Sequence, residues 1–190
     1  HVMSPKKKIN LFSRSLDSLN DERVIDPPDY LSIDTQGSEF EILSSSKKLL
    51  KNNILAVNCE ISFSELYLNS KLFTEIHQLL IANDFFLVNL ETFNIGFYRI
   101  PTQFRGKGIP LQGEALYLKK PEKVKLVNNK NIMLKKLAFI AISFGYTEYA
   151  YKILEKVNFH NNKLDYEIFL MNFYNKVNNF QIMPKLWNDV

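Results

Sequence analysis

Three carboxylates, Asp34, Glu39 and Glu60, stand where strand and helix patterns would gather acids at the ends of neighbouring strands. A carboxylate so placed can take a proton from a hydroxyl as a general base, or hold a cation. Asp34 follows the apolar run Tyr30 to Ile33. Its plainer use is to cap a helix beginning near Ser38. Glu39 falls in the first turn of that helix, where the dipole favours an acid whatever else it does. Glu60 closes the run from Ile54, a costly place for a charge. Gln36, Gly37 and Ser62 add candidate substrate contacts: Gln36 and Ser62 suit hydroxyl recognition, and Gly37 permits a sharp turn or a close backbone approach. Three such acids could share a divalent ion through oxygen ligands. No other residues show metal-ligand spacing, so no metal is assigned.

The elements that must position these residues alternate. Pro27 and Pro28 hold the segment before Tyr30 extended. Ile42, Leu43, Ser46, Leu49 and Leu50 then form one apolar helical stripe, with Lys47, Lys48 and Lys51 turned outward. Ile54 to Glu60 is an almost continuous apolar run, suited to a strand covered on both faces. Leu72, Phe73, Ile76, Leu79 and Leu80 repeat the helical stripe over 70–83. Phe85 to Leu90 and Glu114 to Lys119 read as further strands, with a Gly/Pro-rich loop from Gly96 to Gly113. A short edge strand is expected within 10–19. The pattern predicts part of a doubly wound α/β sheet, mostly parallel, with helices on its faces.

Beside this pattern, Leu31-Ser32-Ile33-Asp34-Thr35-Gln36-Gly37-Ser38-Glu39 resembles the signature of FkbM-type S-adenosylmethionine-dependent methyltransferases. Ser15 to Leu19 resembles the turn before that strand, and Ile54 to Tyr67 the next strand and its loop. The likeness covers roughly 13–119. Thr35 and Ser38 replace commoner small apolar residues, and Ser45 stands where many members have glycine. The resemblance implies a Rossmann-like domain transferring methyl groups from S-adenosylmethionine, commonly to oxygen on a sugar or related metabolite. It would set Asp34, Glu39 and Glu60 as catalytic, lining the acceptor side. Methyltransferase sheets of this class begin with a glycine-rich turn at the cofactor, and none precedes residue 30. The chain therefore resembles the C-terminal, substrate-side part of the domain; no cofactor-binding residue is assigned, and the 190 residues alone are expected to be inactive. The alternative is a non-catalytic module, with the half-sheet as scaffold and the tail as partner surface.

Composition bounds these readings. With 190 residues, 46% hydrophobic and 23% charged, the chain has the make-up of a globular domain with an appendage. Residues 1–8 read as a tag remnant and basic leader including Lys6, Lys7 and Lys8, 9–120 as the methyltransferase part, and 121–190 as a helical extension. No apolar run spans a bilayer and no secretory signal opens the chain, so a cytoplasmic setting without membrane contact is expected. Residues 1–120 balance 14 Lys+Arg against 14 Asp+Glu, so the net +4 lies in 121–190. No arginine stripe accompanies it, which argues against nucleic acid. The single cysteine, Cys59, reads as a buried small hydrophobe. His77 and His160 pair with no nucleophile, which disfavours acyl transfer. Phe93, Phe97 and Tyr98 could stack on a sugar ring, though core packing is their simpler use. In the extension, Leu134, Leu137, Ala138, Ala141 and Ile142 form one stripe. Ala150, Ile153, Leu154 and Val157 form a second after Gly145, and Tyr166, Phe169, Leu170, Phe173 and Val177 a third. An exposed edge of the central strand would invite a homodimer.

Overall fold

The computed structural model describes residues 9–67, 70–95, 108–124 and 130–157. Four strands form one sheet: β1 (Tyr30–Ile33), β2 (Ala56–Ser62), β3 (Phe85–Ile95) and β4 (Ile109–Lys119), in the order β1-β2-β4-β3. β1 and β2 are parallel, with Ile33 opposite Cys59. β4 lies between β2 and β3 and runs antiparallel to both. The sheet is therefore mixed, and the expectation of a mostly parallel one is corrected. The reason is topological. A helix, α4 (Phe73–Ala82), carries the chain from β2 to β3. β4 then returns beside β3 as an antiparallel partner and takes the place next to β2.

Helices cover both faces. On one, α2 (Glu39–Ser44), α3 (Lys47–Asn52) and α4 pack Leu43, Leu49, Leu50, Ile76 and Leu80 against Val57, Cys59, Ile61, Ala115 and Tyr117. On the other, α5 (Lys130–Ser143) and α6 (Thr147–Glu155) bury Leu134, Leu137, Ala138, Ala141, Ala150 and Ile153 against Ala56 and Leu118. The first two stripes of the extension thus cover the sheet. The third lies outside the described residues, as do Lys6 to Lys8, Phe97, Tyr98 and His160.

Several boundaries differ from the sequence pattern: β2 runs from Ala56 past Glu60 to Ser62, so Glu60 lies within the strand rather than closing it, and β3 runs past Leu90 to Ile95. The expected edge strand within 10–19 is instead helix α1 (Leu16–Asp21). Ser15 caps it, its hydroxyl accepting the Ser18 N–H at 3.1 Å, a bond that favours the helix start over extended chain. The single stripe after Gly37 is broken into α2 and α3. Ser46 is fully buried at the break and donates its hydroxyl to the Ile42 carbonyl at 2.7 Å, so the apolar spacing continues while the backbone does not. β4 begins at Ile109 rather than Glu114, because Leu111, Gly113 and Ala115 alternate inward through a stretch whose Pro110 and Gly113 read as loop. Gly113 is required there: a Cβ would lie 2.1 Å from the Glu91 carbonyl oxygen of β3.

Two long-range polar contacts lock these pieces. Lys119, 2% exposed, donates to the carbonyls of Leu50 (2.7 Å) and Asn83 (2.6 Å) near the C-terminal ends of α3 and α4, where the dipole favours a cation. Its ammonium also sits 4.4 Å from the Phe85 ring centroid. Asp17 of α1 accepts the N–H groups of Lys48 (2.8 Å) and Leu49 (3.0 Å), capping α3, whose own Ser46 gives no side-chain cap. Asp17→Ala should therefore destabilise the fold by about 1–2 kcal/mol in urea unfolding, with Asp17→Asn, which keeps an acceptor oxygen, losing less. Equal midpoints for wild type and Asp17→Ala would contradict this capping role.

Candidate functional site

The site forms where β1 ends beside β2, which runs on past Glu60 to Ser62. Their parallel register sets Asp34 and Glu60 one residue past the Ile33–Cys59 pair. The chain leaves β1 through an unusual bend: Gln36 has φ +58° and Gly37 φ +113°. The second value belongs to glycine, and the space a Gly37 Cβ would need is filled by the Tyr67 ring at 2.8 Å. The bend folds Glu39, 7% exposed, back under the loop. Its carboxylate accepts the N–H of Thr35 (2.8 Å), the hydroxyl of Thr35 (3.0 Å) and the N–H of Gly37 (3.0 Å). Glu39 therefore builds the loop from below, a structural task set by the loop's N–H groups rather than by the helix dipole alone.

Gln36 lies between the other two acids. Its side-chain nitrogen donates to Asp34 Oδ1 at 2.7 Å and to Glu60 Oε2 at 2.9 Å. Gln112 of β4 donates to the remaining Glu60 oxygen at 3.0 Å, and the Tyr67 hydroxyl donates to the Gln36 carbonyl oxygen. Asp34, Glu39 and Glu60 each bring an oxygen within 4.8 Å of the others. A hard divalent cation could be accommodated at such spacing, although Glu39 already shares its lone pairs with Thr35 and Gly37. Asp34 does not cap α2: Ser38 holds that position, without a side-chain bond. Asp34 is exposed and faces solvent at the mouth.

The Glu60 carboxyl is held above the usual range. Partial burial is the largest cause, followed by the charges of Asp34 and Glu39, while the bond from Gln36 works the other way. Burial, reinforced by the same three acids, also raises the Tyr67 hydroxyl.

The expected residues fall into groups. Asp34, Gln36, Gly37, Glu39 and Glu60 meet at one mouth. Ser62 shares Glu60's face of β2 but joins none of these bonds. Cys59 is buried, and burial followed by the Glu39 charge pushes its thiol up to about 12, so it is held neutral. His77 packs between Phe73 and Tyr117, its Nδ1 3.1 Å from the Tyr117 hydroxyl. Phe93 stands 43% exposed on β3. Gln112 was missed because its stretch read as loop. Tyr67 was read only as the end of a motif, since nothing local shows that its ring returns to Gly37. Glu114 and Glu91 also extend the acidic row across the sheet, opposite Glu60 and each other in register.

Residues 3–87 match the family model described as the methyltransferase FkbM domain. The matched segment contains Asp34, Gln36, Glu39, Glu60 and Tyr67, and Gln112 comes from the sheet beyond it. Searches of curated proteins and of solved structures find no match. No helix among the described residues is long and apolar enough to cross a membrane.

The raised Glu60 carboxyl fixes a sign for pH dependence. The folded state holds this proton more tightly than the unfolded chain does, so ionising Glu60 subtracts from stability. The penalty is absent below the ordinary value of 4.5 and complete above the folded one. Asp34→Asn should lower the Glu60 midpoint, followed by carboxyl carbon NMR, and recover part of that stability at neutral pH. An unmoved midpoint would show that Asp34 does not act on Glu60.

Proposed function

We propose that this mouth is the acceptor side of an S-adenosylmethionine-dependent methyltransferase acting on a hydroxyl of a sugar or related metabolite. The observation carrying this reading is the Asp34–Glu60 pair, one acid exposed and the other with a raised carboxyl, joined by one amide. Methyl transfer to a hydroxyl requires its oxygen to lose a proton, and a base tuned upward does this more effectively near neutral pH. Asp34, open to solvent, meets the hydroxyl. Glu60 is oriented by Gln36 and Gln112 to share or relay the proton. Glu39 holds the loop that carries Asp34 and Gln36. Ser62, two residues on from Glu60, is placed to contact a neighbouring hydroxyl of the same acceptor.

The described residues do not fit the cofactor. The glycine that could have let a ligand approach the backbone, Gly37, has its open side filled by Tyr67, and irregular chain and α1, rather than a strand ending in a glycine-rich turn, precede β1. The groups that bind S-adenosylmethionine therefore come from outside the described residues. A second reading is a non-catalytic module. It draws on the outer edge of β1, the edge strand of the described sheet, flanked by partly exposed Tyr30, whose ring meets Phe144 at a tilt. A second copy pairing there would form a dimer.

Methyl transfer from S-adenosylmethionine to a panel of hydroxyl-bearing metabolites tests the first reading, run on a chain that carries this site together with a cofactor pocket. Glu60→Gln and Asp34→Asn should each cut turnover by about 10²–10⁴-fold. Calorimetry on the 190-residue chain should detect no tight cofactor binding. Turnover unaffected by both substitutions would contradict the acid pair's role, and tight binding by this chain would contradict the division of labour.

A further inference from the structure

We propose that Tyr67 is the positioning residue of the acid pair: its hydroxyl orients the Gln36 amide so that one NH2 group bridges Asp34 and Glu60. The inference rests on the reading of that pair as the site that handles the acceptor's proton. Three observations carry it. The Tyr67 hydroxyl donates to the Gln36 carbonyl oxygen. The opposite end of the same amide donates to Asp34 at 2.7 Å and to Glu60 at 2.9 Å. The Tyr67 ring lies against Gly37, with Cδ2, Cγ and Cβ at 2.8–3.0 Å from where a side chain would begin.

An amide has two ends of opposite character, and rotating it by half a turn exchanges donor for acceptor. Turned the wrong way, Gln36 would present a carbonyl to two carboxylates and separate them. Turned as it is, one nitrogen supplies a hydrogen to each. Ring packing against Gly37 alone would be served equally well by phenylalanine. Asp34 and Glu60, which as carboxylates only accept, select the nitrogen end of the amide, and the Tyr67 hydroxyl fixes the opposite end by donating to its oxygen. Gln36 also sits on a residue of positive φ in a loop, where nothing in its own backbone bonding fixes its side chain. Gln112 then locks the other Glu60 oxygen at 3.0 Å, so Glu60 cannot turn to follow a displaced amide. The outcome is a bridged pair in which Asp34 stays exposed.

The test is read on this chain without any methyl transfer, so its failure is separable from failure of the proposed activity. The probe is the Gln36 side-chain NH2 in nitrogen–proton correlation spectra. In wild type its two protons should be well separated and slow to exchange with water. In Tyr67→Phe, which keeps the ring on Gly37, the separation should narrow and exchange should accelerate by about tenfold, the loss of one hydrogen bond. Backbone amides of β2 should stay in place. Incorporating 3-fluorotyrosine at position 67, a stronger donor of the same shape, should move the same signals the opposite way. In Gln36→Leu, adding Tyr67→Phe should change the Glu60 carboxyl signal no further. Gln36 signals unchanged in both position-67 variants would overturn the proposal, as would a Tyr67→Phe effect on Glu60 that persists without Gln36.

Discussion

Like charges brought to one place must be compensated, and at this mouth the compensation comes from neutral donors. Asp34, Glu39 and Glu60 lie within 4.8 Å of one another, held by the amides of Gln36 and Gln112, the Thr35 hydroxyl and the N–H groups of Thr35 and Gly37. Neutral donors keep carboxylates close without cancelling their charge. A salt bridge would pull a carboxyl down, whereas here burial and neighbouring acids leave Glu60 raised. Proton handling is the chemistry such an arrangement suits. The rest of the fold serves to hold the donors in place.

That service begins with two parallel strands, of which β1 ends opposite Cys59 while β2 runs on to Ser62. β1 has four residues, and its register with β2 puts the bend and the neighbouring acid on one rim. Beneath the rim, buried Glu39 ties the bend to the first turn of α2. Behind it, Asp17 caps α3 and Lys119 gathers the ends of α3 and α4. The α5–α6 pair packs on the opposite face against Ala56 and Leu118.

Much of this was legible from the chain. β1, β2 and α4 followed from hydrophobic runs and a clean helical stripe, and the three acids were placed at one mouth by the strand–turn–helix pattern around Gly37. What escaped depends on contacts between distant segments. Asp17 reads as an ordinary acid until its partners 31 and 32 residues later are known. The Ser46 break hides inside an uninterrupted apolar spacing. Gln112 lay in a stretch marked as loop by Pro110 and Gly113, both of which the sheet accommodates. The direction of β4 was invisible, since a strand pattern carries no sign of which neighbour it will meet. Tyr67 is the sharpest case: its role is set by the ring returning to a glycine thirty residues earlier in the chain.

The central claim is that the β1 and β2 ends converge so that positions 34 and 60 face each other. A disulfide tests it, because such a bond requires Cα atoms about 4.4–6.8 Å apart and converging side chains. In a Cys59→Ala background, Asp34→Cys with Glu60→Cys should oxidise to one intramolecular bond, seen as a loss of two mass units and no free thiol in the folded protein. Two thiols that stay reduced under oxidant, in a chain with native helix content, would contradict the claim.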